Sequence, residues 1–293
     1  MAMALPAELI AATVQIEQTL PDGERTIGTG FLISDPTPDG KPRTVLVTAN
    51  HVFSRMPGRA AHIGYRLQGQ DGAWTYDPQA LVIRQGDTPL WRHHATRDVA
   101  AIVVKAPAAF AKAAIPLAWL ASDDTFSRYG VGPGDEMMVL GYPQGLSANA
   151  AGFPILRSGR VASPVDSPRV SPTFLLDFRV FPGNSGGPVF LADPQRPDTA
   201  SGQTAPAQFV AGILTQQVEL NNQRLEIGIV TEAPFIRQTL ALLDQPGAAA
   251  PAAAPDAESA SAGSAKPASA ETAQSSASAT ETDRAIVGVA VSE

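Results

Sequence analysis

A serine set among glycines is the first place in this chain where chemistry could occur. In Phe181-Pro182-Gly183-Asn184-Ser185-Gly186-Gly187-Pro188-Val189, Ser185 lies on backbone that can bend sharply and approach another group closely. Such a turn exposes the hydroxyl and aims neighbouring N–H groups at one point, where they can hold a developing oxyanion. Taken alone, the pattern is equally that of a plain glycine-rich loop. A serine nucleophile needs a base, and the histidines are His51, His62, His93 and His94, all upstream of Ser185. That order excludes the α/β-hydrolase elbow, in which the acid and the histidine follow the serine. His51 ends the apolar run Val45-Leu46-Val47-Thr48-Ala49-Asn50-His51, and Asp98 opens Asp98-Val99-Ala100-Ala101-Ile102-Val103-Val104. A carboxylate at a buried strand start is costly unless its charge is met, and an imidazole N–H meets it. His51, Asp98 and Ser185 therefore form a candidate base, orienting acid and nucleophile, although each alone also reads as an ordinary strand-end or turn residue.

Three residues so far apart in sequence need a framework to bring them together. Short β-prone runs bounded by Gly, Pro and Asp dominate the body. Thr13–Leu20 and Thr26–Ile33 flank the turn Pro21-Asp22-Gly23, and Thr44–Thr48 follows Pro38-Asp39-Gly40. Further runs are His62–Leu67, Ala80–Arg84, Val99–Val104, Glu136–Leu140, Thr173–Val180, Gly187–Leu191, Gln208–Thr215 and Leu225–Val230. Many short strands without alternating helices predict barrels or sandwiches, not a βαβ sheet. One helix is expected over Ala233–Leu243, with Phe235, Ile236, Leu240 and Leu243 at helical spacing and Pro234 in its first turn.

Composition narrows the function classes. The 293 residues include 44% apolar types, enough for a sizeable core, and no cysteine. Disulfides, thiolate metal sites and cysteine nucleophiles are thereby excluded. Net charge is −7, and beyond Gln245 six acids stand against two bases. No basic stripe offers itself to nucleic acid or anionic lipid, so neither is expected as a partner. No run approaches the ~20 apolar residues that would span a bilayer. The first ten residues lack a basic start and apolar core, although Ala2-Met3-Ala4 resembles the end of a cleavage site. Residues 246–284 are almost wholly Ala, Ser, Pro, Glu and Thr, which predicts a disordered tail over 246–293 ending in the apolar run Ala285–Val291. The adjacent His93 and His94 would point to opposite faces of a strand and have no spaced carboxylate set, so no metal site is expected.

The combined pattern resembles the chymotrypsin-like (trypsin-like) serine peptidases, on the bacterial branch near HtrA-type and glutamyl-endopeptidase-type enzymes. The pieces are Gly28-Thr29-Gly30-Phe31-Leu32-Ile33-Ser34, Thr48-Ala49-Asn50-His51-Val52, Asp98-Val99-Ala100, Gly141-Tyr142-Pro143, the Ser185 loop, Gly212-Ile213-Leu214-Thr215 and Gly228-Ile229-Val230-Thr231. The resemblance implies an all-β peptidase domain over 5–244. It would comprise two six-stranded antiparallel β-barrels, about 10–115 and 125–232, with a C-terminal helix at 233–243. It implies His51, Asp98 and Ser185 as a catalytic triad acting through an acyl-enzyme, with an oxyanion hole from the N–H groups of Gly183 and Ser185. Thr215, Gln216 and Gln217 would pair with a protein or peptide substrate, and Phe181 and Gly228 would lie beside it. Arg179 would sit at the base of the specificity pocket and favour an acidic side chain, unless Asp177 neutralises it. No cofactor is implied, and a periplasmic or secreted location is. Asn184 stands where activatable relatives carry Asp, and no Arg-Ile-Val-Gly-Gly start is present, so switching by N-terminal insertion is not expected. The alternative is an idle peptidase fold that binds extended peptides.

Overall fold

The computed structural model describes residues 5–165, 168, 170–220 and 223–245. The chain opens with α1 (Leu5–Ala12), whose Leu5, Leu9 and Ala12 are buried on one face. The first half continues through β1 (Thr13–Thr19), β2 (Arg25–Ser34), β3 (Thr44–Thr48), α2 (Asn50–Ser54), β4 (Ala60–Gln68) and β5 (Trp74–Val82). Four two- to four-residue strands follow, β6 (Arg84–Gln85), β7 (Thr88–Pro89), β8 (Arg92–His93) and β9 (Ala100–Val103), then α3 (Ala108–Ala113) and β10 (Ile115–Pro116). The second half holds α4 (Thr125–Arg128), β11 (Glu136–Gly141), β12 (Ile155–Val161), β13 (Thr173–Asp177), β14 (Pro188–Asp198), β15 (Gln203–Leu220), β16 (Gln223–Glu232) and α5 (Ala233–Ala241).

The two halves are built differently. The second is a closed six-stranded barrel, β11-β12-β13-β16-β15-β14, as expected. The first is an eight-stranded sheet in the order β5-β4-β1-β2-β3-β9-β8, with β10 added in parallel to β2. Its path of hydrogen bonds is open where the resemblance implies a six-stranded ring. The reason is local: β6 and β7 pair only with each other, so the chain between β5 and β8 leaves the sheet. The first hairpin falls where Pro21-Asp22-Gly23 places it, with Asp22 Oδ1 accepting from Glu24 N–H at 3.0 Å.

Both halves bury their inward faces in one apolar core that includes Phe31, Phe53, Phe174 and Phe190, each essentially inaccessible. Burying one such ring stabilises the fold by about 1.5–3 kcal/mol relative to leaving it in water. Two long connections of the second half run beside the first. Residues 178–187, which contain the serine turn 181–187, join β13 to β14, and residues 142–154 join β11 to β12. Among the described residues no helix is long and apolar enough to cross a membrane. The expected tail, 246–293, lies outside the described residues, as does its apolar end.

Candidate active site

His51 does not end a strand, as its sequence suggests, but occupies the first turn of the five-residue helix α2. Asp98 lies two residues ahead of β9, which pairs with β3 in the register Thr48↔Ala100. This register carries the start of β9 to the end of β3, and so Asp98 to His51. Both carboxylate oxygens are engaged by that one residue: Oδ1 accepts from the His51 backbone N–H at 2.9 Å, and Oδ2 lies 2.6 Å from Nδ1. A carboxylate can only accept, so Nδ1 carries the proton and Nε2 presents its lone pair. The helix is itself held from outside. Asn50 Oδ1 accepts from the indole N–H of buried Trp91 at 2.9 Å, and Arg84 lies over the Trp91 ring while donating to Met56 O.

Ser185 arrives from the other half, on the turn between β13 and β14. Thr29 N–H donates to Ser185 O at 2.9 Å, and the Thr29 hydroxyl donates to Gly183 O at 2.6 Å. Gly186, at φ +85°, is wedged against the His51 side of the cleft. A Cβ there would stand 2.1 Å from Thr29 O, 2.2 Å from Thr48 Oγ1 and 2.9 Å from Ala49 N. Ala49 is two residues from His51, so the serine turn touches the chain that carries the imidazole. The Ser185 hydroxyl has no hydrogen-bond partner among the described residues, leaving it unengaged beside that chain.

The N–H groups of this turn divide into two sets. Asn184 N–H is bonded to Phe181 O, Gly186 N–H to Leu214 O and Gly187 N–H to Asn184 O. Those of Gly183 and Ser185 have no acceptor among the described residues. Asn184 is almost fully buried, and its Oδ1 accepts from Phe181 N–H at 3.0 Å, capping its own turn. The turn thus carries a hydroxyl and two N–H groups without internal acceptors, and its Gly186 packs against Ala49, two residues before the carboxylate-bound imidazole.

The residues expected to contact substrate fare unevenly. Thr215 is buried, its hydroxyl directed at Ile229 O and Thr231 Oγ1, while Gln216 is exposed. Gln216 and Gln217 pair with Ile229 and Gly228 across β15 and β16, and a register shift falls at Thr215. Arg179 does not form a buried pocket base. Its side chain is 61% exposed, bonds Glu226 at 3.0 Å and covers the Phe181 ring. Asp177, the partner considered for it, is not used, because Glu226 comes closer. A Cβ on Gly228 would meet Leu214 Cδ1 at 2.9 Å and Val180 Cγ2 at 3.3 Å, so aliphatic side chains border that position. With Arg179 exposed and paired, the burial that would favour an acidic side chain beside it is absent. A cavity of about 560 Å³, lined by Asp135, Met138, Arg157, Asp193 and Arg196 among others, contains none of these residues.

A family model described as a trypsin-like peptidase domain matches residues 28–195, more than half of the chain. The chain belongs to the trypsin-like peptidase family. No curated protein matches it. Among solved structures, a serine-to-alanine variant of the HtrA-type protease AlgW with tripeptide is 17% identical at a TM-score of 0.50, covering 84% of this chain and 65% of its own. This trypsin-like peptidase chain thus spans just under two thirds of that relative, and at such identity the likeness is one of fold. The active form of the Rv3671c protease from M. tuberculosis is 21% identical, with a TM-score of 0.48 and coverage of 86% and 87%.

Proposed function

We propose that the protein is a serine endopeptidase that opens peptide bonds through an acyl-enzyme. His51 Nε2 takes the proton from Ser185 as Oγ attacks the scissile carbonyl carbon. The oxyanion settles between the N–H groups of Gly183 and Ser185, where one donor is typically worth about 10²–10³ in rate. Collapse breaks the C–N bond, and His51 returns the proton to the leaving amine. Water then repeats the sequence on the ester, with His51 again as base. Asp98 keeps Nδ1 protonated and stabilises the imidazolium that forms. Exposed Gln216 and half-buried Gln217, beyond the part of β15 that pairs with β14, offer an edge where an extended substrate can pair as a further strand.

The observation that carries this reading is the division of labour in the 183–187 turn. Among the described residues, every N–H of that turn is bonded inside the fold except those of Gly183 and Ser185, and Asp98 holds His51 with one oxygen on its backbone N–H and the other on Nδ1. Two unsatisfied donors on one turn with a free hydroxyl meet the needs of a developing oxyanion. Mass-spectrometric mapping of cleavage in a peptide library tests the proposal. Cleavage by the native protein, lost by at least about 10³-fold in both Ser185→Ala and His51→Ala, is expected. Saturable binding of library peptides without cleavage, unchanged in Ser185→Ala, would establish the idle module instead.

A further inference from the structure

The most unusual side chain outside the site is Arg66 in β4. It is 1% exposed, and among the described residues none of its hydrogen-bond partners is a carboxylate. Its Nη1 donates to Thr13 O at 3.0 Å, Tyr142 Oη at 3.1 Å and Gly152 O at 3.0 Å. Its Nη2 donates to Ile10 O at 3.2 Å and Ala11 O at 2.8 Å. The rings of Phe110 and Phe153 lie against the guanidinium. Burial pulls its pKa down, opposed in part by Tyr142. A cation buried among neutral acceptors is an expensive way to fasten a fold. What it fastens is the end of α1, the start of β1 and both ends of the 142–152 segment.

That segment leads to the serine turn. Tyr142 is fully buried, its hydroxyl shared among Arg66, Thr13 O and Gly152 O. Its carbonyl stands 2.2 Å from where a Cβ on Gly183 would lie, a contact only glycine permits, and Gly183 has φ +91°. Two residues on, Gln144 is held in the left-handed region at φ +53°, uncommon for a residue with a side chain. In that conformation its N–H donates to Pro182 O at 2.6 Å. The Pro182–Gly183 peptide is planar and trans, so its C=O and N–H point in opposite directions. Holding the carbonyl on Gln144 therefore turns the Gly183 N–H away from Gln144 and leaves it without an internal acceptor.

We infer that Arg66, acting through Tyr142 and the Gln144–Pro182 hydrogen bond, is a positioning residue that sets the Gly183 N–H for the oxyanion. The inference rests on the catalytic reading above. It adds that the residues 10–13, which share the guanidinium, are coupled to the reactivity of Ser185. Backbone strain at Gln144, beside the proposed site, fits a conformation the surrounding fold imposes for function.

Tyr142→Phe keeps the ring and removes the hydroxyl that Arg66 grips, so it is the principal test; Arg66→Lys, which keeps the charge without the fork, is the second. Each is expected to lower kcat on a cleaved library peptide by about tenfold or more with KM within about twofold, since a misplaced donor weakens only the transition state. A peptide boronate, which mimics the tetrahedral state, should bind Tyr142→Phe more weakly by the same factor. Hydrogen exchange followed by mass spectrometry should show faster exchange across 181–187 in the variant, a readout that needs no turnover. If native protein proves inactive yet exchange at 181–187 still rises in Tyr142→Phe, the coupling stands while the peptidase reading falls. If Arg66→Lys fails to fold, Tyr142→Phe decides. Unchanged kcat, boronate affinity and exchange in a folded Tyr142→Phe overturn the inference.

Discussion

At the scale of single residues, the proposed site depends on backbone geometry as much as on its three polar side chains. Gly186 shows this most directly, because its α-carbon faces two backbone atoms and the Thr48 hydroxyl at less than contact distance for any added carbon. Alanine there would meet a positive φ, roughly 1–3 kcal/mol of strain, and a clash of similar size with atoms that cannot swing aside. Gly186→Ala is expected to lose about 2–5 kcal/mol in urea unfolding and to push the Ser185 turn off the His51 chain, with activity falling accordingly. A variant as stable as the native protein would mean that the turn does not pack where it is placed. Thr29 is the other residue whose role lies in position: its hydroxyl joins Gly183 O to Tyr142 N–H, while its own carbonyl accepts from Thr48.

At the scale of elements, two ion pairs hold the long strand β14 to α4 and to the loop ahead of β11. Arg128 grips Asp198, and Arg196 grips Asp135, with charge-assisted hydrogen bonds of 2.6–3.2 Å. Each carboxylate is held below its usual range mainly by its arginine, Asp198 down to about 2. A carboxylate with a depressed folded pKa stabilises the fold above its unfolded value, near 3.9, and loses that contribution as pH falls through the folded value. The thermal midpoint is therefore expected to decline as pH drops from about 4 toward 2. That decline should be shallower in Asp198→Asn, measured by calorimetry at matched ionic strength, and an equal slope in both proteins would contradict it.

Elements also show how much is legible in the sequence. Thr44–Thr48 and the first hairpin are where turn chemistry and β-branched runs put them. The strand β12 escapes such a reading, because Ile155–Val161 runs Ile-Leu-Arg-Ser-Gly-Arg-Val, too polar to announce itself. The helices α1 and α2 are too short for periodicity to reveal, and α2 begins inside a run that reads as strand. His51, Asp98 and Ser185 are visible because three polar residues in a fixed order are a strong joint signal. Arg66, Asn50 and Gln144 are not, because a single Arg in a strand or a Gln after proline reads as a solvated residue. For Arg179 the resemblance implies a pocket base, whereas the exposed pairing with Glu226, remote in sequence, has no signature in the sequence.

For the whole molecule, the central claim is that an open sheet and a closed barrel meet so that a carboxylate-bound imidazole from one can activate a hydroxyl from the other. Thr29 in β2 and Gly186 in the serine turn, remote in sequence, are among the points of contact. The most direct measurement is intact-mass spectrometry after exposure to a fluorophosphonate, in which serine oxygen displaces fluoride from phosphorus only if its proton is removed. One adduct per chain, mapped to the peptide containing Ser185 and absent from both His51→Ala and Ser185→Ala, is the result the account predicts. A folded native protein that stays unlabelled, or one labelled equally well without His51, would contradict it.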